Sequence, residues 1–118
     1  MIPDVSAAQV YLALGSTDMR KSIDGLAVLV KESFRLDPFS NALFVFCNRK
    51  RDKLKILYWE NNGFWLYYRR LERGRFQWPD HVTDQTMHVT KRQLRWLLDG
   101  LSLDQKQAHP PVTARTIL

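Results

Sequence analysis

LFVFCNRKRDKLKILYWENNGFWLYYRRLERGRFQWP, residues Leu43 to Pro79, is the stretch on which the fold turns. Leu43 to Cys47 is an almost unbroken apolar run, the pattern of a strand buried on both faces. The polar Asn48 to Asp52 then reads as a turn. Lys53 to Glu60 and Phe64 to Glu72 flank Asn61-Asn62-Gly63, which suits a hairpin closed by a three-residue loop with Gly63 in the left-handed position. That register predicts one face of Leu54, Ile56, Tyr58, Phe64, Leu66 and Tyr68, and an opposite face of Lys53, Lys55, Trp59, Trp65, Tyr67 and Arg69. With Asn62-Gly63 alone as the loop, Lys55 faces Arg70 rather than Arg69. Either way two cations stand opposite each other, which is unfavourable unless an anion sits between them. Glu72-Arg73-Gly74 is a further turn, and Arg75 to Trp78 reads as a fourth short strand closed by Pro79.

The same stretch carries the charge. Between Arg49 and Arg75 nine Lys or Arg face only Asp52, Glu60 and Glu72, a local +6 that equals the net charge of all 118 residues. The positive field therefore has one source, and with a pI near 9.8 a polyanion, nucleic acid before membrane, is the partner the charge suggests. Arg49, Lys50, Arg51, Lys53, Lys55, Arg69, Arg70, Arg73 and Arg75 are the candidate phosphate contacts, with Arg20 and Lys21 outside them. The two clusters, Arg49-Lys50-Arg51 and Arg69-Arg70 with Arg73 and Arg75, fall near opposite ends of short strands and could track a backbone. Trp59, Trp65, Tyr67 and Trp96 are candidates for stacking on bases or for contact with a protein partner; the alternative for these aromatics is burial under a helix.

Outward from this core, Gln9 to Leu14 is β-compatible and ends at the turn cluster Gly15-Ser16-Thr17-Asp18. Ile23, Leu26, Ala27, Val30 and Phe34 recur at helical spacing and predict a helix over about 22–35, stopped by Asp37-Pro38. Gly25 weakens that helix, and a close approach of another backbone would explain it. Met87 to Val89 suits an edge strand. Thr90 opens a capping box with Gln93, and Leu94, Leu97, Leu98 and Leu101 give the buried stripe of a second helix over about 90–99, ended by Gly100. The sequence thus predicts a single α+β domain over 1–104, an antiparallel sheet of about five strands with two packed helices, and a mobile tail over 105–118. One cysteine, Cys47, leaves no intramolecular disulfide, and no apolar run approaches a membrane span, so the expected setting is the cytoplasm with no membrane contact.

Catalytic patterns are mostly lacking. His81, His88 and His109 have no ligand partners at metal-site spacing, and there is no glycine-rich phosphate loop. Asp18, Asp24, Asp52 and Glu72 could converge on a metal only if the fold brought them together. The expectation is no catalytic residue, no metal and no cofactor.

Three motifs carry a family likeness: TDMRKSIDGLA (Thr17 to Ala27), the Leu43 to Pro79 stretch, and QLRWLLDGL (Gln93 to Leu101). In this order and spacing the chain resembles the TnpB accessory protein of insertion-sequence family sixty-six, a different protein from the large RNA-guided nuclease that shares its name. The resemblance implies a non-catalytic role in DNA transposition, beside a transposase and a second small accessory protein of the same element. It supplies no site residues, so the candidates above rest on the residues alone. The function expected is binding of element-end DNA, or of the transposase-DNA complex, by the basic, aromatic hairpin. The alternatives are a protein adaptor for the transposase and, behind it, a small metal-dependent nuclease using Asp18, Asp24 or Asp52. Oligomeric state is left open.

Overall fold

A computed structural model describes residues 7, 9–80 and 83–104; the expected tail, His81 and His109 lie outside them. Five strands form one sheet: β1 (Gln9–Ala13), β2 (Ala42–Cys47), β3 (Lys53–Glu60), β4 (Gly63–Arg70) and β5 (Thr86–Val89), in the order β4-β3-β2-β1-β5. The fold is α+β as expected, but the sheet is mixed rather than antiparallel, because β1 and β2 run parallel, with Val10 beside Leu43 and Leu12 beside Val45. The cause is the connection. A parallel neighbour needs a crossover, and α1 (Ile23–Val28) with the π-helical turn that continues it (Leu29–Ser33) provides one across one face of the sheet.

That helix ends on a left-handed residue. Phe34 N–H donates to Leu29 C=O and Leu36 N–H to Val30 C=O around Arg35, whose φ is 56°. Leu26 and Val30 are fully buried and meet Ala13, Phe44, Phe46 and Leu57 beneath them. Gly25 is not a point of close backbone approach; a Cβ there would touch only the Lys21 side chain, at 3.5 Å.

The opposite face holds the larger core. Val10, Leu12, Leu43, Val45, Leu54, Ile56 and Tyr58 pack against Leu94 and Leu97 of α2 (Lys91–Leu98) and against Phe76 and Trp78. The expected Thr90–Gln93 capping box is formed in both directions, and Gly100 ends the segment at φ 81°. Arg75 to Trp78 is not a strand. Its in-out alternation is real, but Phe76 and Trp78 point into the core from above the sheet, and the Trp78 indole donates to Ala13 C=O at 3.0 Å. β2, third of five and buried at all six positions, is the doubly covered strand its apolar run predicts.

Candidate nucleic-acid interface

The hairpin that sets the site closes differently from both readings of its sequence. Glu60 pairs with Gly63, so the loop is Asn61-Asn62, at φ 49° and 66°, a two-residue turn with both central residues left-handed. Asparagine tolerates that conformation, and Gly63 is a regular strand residue instead. Compared with the three-residue loop, the shift moves every side chain of β4 to the other face relative to β3. Leu54, Ile56 and Tyr58 now share a face with Trp65, Tyr67 and Arg69, while Lys53, Lys55 and Trp59 share theirs with Phe64, Leu66, Tyr68 and Arg70. The predicted face of Lys53, Lys55, Trp59, Trp65, Tyr67 and Arg69 is therefore split, with the three β4 residues on the side opposite the three β3 residues. Lys55 stands opposite Tyr68, and the remaining cation pair is Lys53 with Arg70.

What the register creates is a basic end. Lys53 beside Arg70 puts the Asn48–Asp52 turn and the exit of β4 together, so the two cationic clusters share one end of the hairpin and do not lie at opposite ends. Two backbone bonds fold the next loop onto the same place: Leu71 N–H donates to Asp52 C=O at 2.8 Å, and Phe76 N–H to Arg51 C=O at 2.7 Å. Arg73 and Arg75 are thereby held beside the turn, both exposed. From the other side Thr17 N–H donates to Cys47 C=O, bringing Arg20 and Lys21 to the same end of the sheet.

The turn itself is built by Asn48. Its Oδ1 accepts from the N–H groups of Asp52 and Lys53, and its Nδ2 donates to the Asp52 carboxylate at 2.7 Å. That bond holds the Asp52 carboxyl below its ordinary range. Burial pushes the Cys47 thiol up, against the smaller opposing influence of Arg51.

The cations differ in their freedom. Lys55 is structural: its Nζ donates to the carbonyls of Met19 and Lys21 at 2.7 and 2.8 Å, tying β3 to the entry of α1. Arg51 is structural as well, left-handed at φ 63° and donating from Nη1 to Gly15 C=O at 3.0 Å. Arg70 pairs with Glu72 at 2.9 Å, and Arg20 with Asp18 at 2.7 Å. The Arg20 hydrogen bonds hold the Asp18 carboxyl at about 2. Arg49, Lys50, Lys53, Arg69, Arg73 and Arg75 make no ion pair among the described residues.

The aromatics gather at the other end of the hairpin. Phe39 meets Trp59 edge-on at 4.9 Å and Phe64 at 5.5 Å, an arrangement reached through the loop after α1 that the sequence did not suggest. Trp65 is 53% exposed, lies parallel to Tyr67 at 6.1 Å and donates its indole N–H to Glu60. Trp59 and Tyr67 are half-buried. Trp96 lies under the Arg92 guanidinium, on a helix that starts from the far end of β5. His88 is exposed beside the Tyr11 ring. Among the described residues no three His, Cys, Asp or Glu side chains come together as metal ligands would.

The family model of the IS66 Orf2-like proteins, TnpB of IS66, matches residues 8–108, almost the whole of this architecture. The chain belongs to the IS66 Orf2-like family. It is thus of an accessory family of transposable elements. Two similar proteins of Sinorhizobium fredii (strain NBRC 101917 / NGR234) are each described as uncharacterized. Uncharacterized protein y4hO is 36% identical over 98% of this chain and 96% of its own length, and uncharacterized protein y4jC is 29% identical over 93% of each. No solved structure matches. No described helix is long and apolar enough to cross a membrane.

Proposed function

We propose that this IS66 Orf2-like protein is a non-catalytic DNA-binding accessory of transposition, which grips element-end DNA through the basic end of its sheet, on its own or within the transposase complex. The observation that carries this reading is the convergence of Arg49, Lys50, Lys53, Arg69, Arg73 and Arg75 on one end of the hairpin without carboxylate partners among the described residues. Cations that make no ion pair, five of them exposed and Lys53 half-buried, on a frame of backbone hydrogen bonds suit phosphate contact, because each can release counterions from DNA with little rearrangement. Lys55 and Arg51, committed to backbone carbonyls, shape the surface.

The test is binding of the purified protein to a labelled element-end duplex and to a scrambled duplex across a salt series. A steep fall with salt is expected, and replacing Arg49, Lys50, Arg73 and Arg75 by Ala should flatten the log-log slope by up to about 3–4, near 0.9 for each phosphate no longer neutralised. Preference for the element end would place sequence reading in this protein, and equal binding would leave it to the transposase. No binding at low salt would reject DNA binding by the protein on its own and turn the search to the protein partner.

A further inference from the structure

Among the described residues the outer edge of β4 is unpaired along its length. β3 pairs with all eight β4 residues on one side, and no other described strand pairs with the other side. The residues flanking a two-residue turn form a close hydrogen-bonded pair, so Gly63, Trp65, Tyr67 and Arg69 aim their backbone groups at β3. The Leu71 N–H bond to Asp52 C=O continues the same alternation. Phe64, Leu66, Tyr68 and Arg70 therefore present N–H and C=O outward. Edge strands are usually protected by shortness, proline, bulges or charge. β5, the other edge, has only four residues. β4 has eight in unbroken register with no proline, and its first six residues, Gly63 to Tyr68, carry no charge. Trp65 and Tyr68 on it are 53% and 54% exposed.

We propose that this edge pairs with the β4 edge of a second copy of the chain, antiparallel, with the two-fold axis at Leu66. Charge selects the copy's direction. Parallel pairing would run Arg69 and Arg70 alongside their equivalents, like charge beside like. Antiparallel pairing about Leu66 sets Phe64 against the other copy's Tyr68 and Trp65 against its Tyr67, so aromatic faces aromatic. Arg69 then faces Gly63, which has no side chain, and on that face the next residue inward is Glu60. Two strand spacings, about 9.6 Å, separate the Arg69 and Glu60 backbones, a gap that two long side chains can close across a glycine. Pairing about Tyr67 uses as many residues but lays Arg69 and Arg70 on Trp65 and Phe64 and leaves Glu60 without this partner.

The full-length protein should sediment as a dimer. Leu66 lies on the axis in a hydrogen-bonded pair, where opposed Cα atoms are about 5.5 Å apart, within disulfide range. Leu66→Cys should therefore crosslink quantitatively on mild oxidation, while Tyr67→Cys and the β5 control His88→Cys should not. Tyr68→Pro removes an outward N–H along with the ring that lies 5.9 Å from Lys55 Nζ, and should yield a folded monomer by circular dichroism and sedimentation. A protein monomeric at about 100 μM, or a dimer in which Leu66→Cys fails to crosslink or Tyr67→Cys crosslinks instead, would overturn the proposal. So would a monomer that dimerises only after removal of residues 105–118, which would give the edge to the chain's own C-terminal segment.

Discussion

Asn48 does more for the basic end than any of its cations. Its side chain makes three hydrogen bonds in a part-buried turn, two to backbone N–H groups and one to Asp52. Alanine there leaves donors and a carboxylate unsatisfied, at a cost of about 2 kcal/mol. Asn48→Ala should lower Tm by roughly 8 °C in a thermal melt; an unchanged Tm would mean the turn is held elsewhere. Asp18 makes a second test at this scale. Its carboxyl, ordinarily 3.8, is held at about 2 by Arg20, so the pair's contribution is present above 3.8 and is lost as pH falls through 2. An NMR titration of the carboxyl carbon should show that midpoint, and Arg20→Ala should return it towards 3.8. Both groups are exposed, so the effect belongs to the titration and not to global stability. The buried Cys47, its thiol raised by desolvation, should react with a thiol reagent only when the protein unfolds.

The first helix carries two residues that work against it. Arg35 holds a left-handed conformation at the helix end, where glycine is free of the steric cost, and Gly25 sits mid-helix with ordinary space for a methyl group. Arg35→Gly and Gly25→Ala should each stabilise the protein by about 0.5–1 kcal/mol in urea unfolding, and together by nearly the sum. Loss of stability in Gly25→Ala would mean that Lys21 cannot yield. Much of this element was legible in sequence, because Leu26 and Val30 follow the helical period and Thr90 with Gln93 is a local signature of the second helix. The parallel pairing of β1 with β2 was also within reach, since a strand, a helix and a strand in succession spell a crossover. The hairpin register was not. Asn-Asn-Gly admits several turns, and choosing between them needs the energies of both faces of a sheet that is covered on both sides, so alternation alone gave no preference. Phe76 and Trp78 show the complementary failure: period-two burial tells that a segment faces a core, and says nothing about whether it lies beside the sheet or above it.

Across the whole molecule the hairpin separates two kinds of surface, cations at the turn end and aromatics towards the tip, and only the register makes that separation visible. The +6 net charge is crowded onto the first. Lys53 stands opposite Arg70, which Glu72 pairs, and Arg49, Lys50, Arg73 and Arg75 lie around them, so the expected balance in the free protein is a like-charge repulsion that an anion would relieve. Stability and binding should then oppose each other. In low salt the variant with Arg49, Lys50, Arg73 and Arg75 replaced by Ala should melt a few degrees above the wild type, as removal of like-charge repulsions of some tenths of a kcal/mol each implies. Adding duplex DNA should reverse the order, because a ligand bound only to the native state raises wild-type Tm by mass action and has less to hold on the variant. Thermal melts of both proteins with and without duplex read the two effects together. A variant less stable than the wild type without DNA would show that these cations support the fold, and equal gains with DNA would remove the basic end from the binding surface.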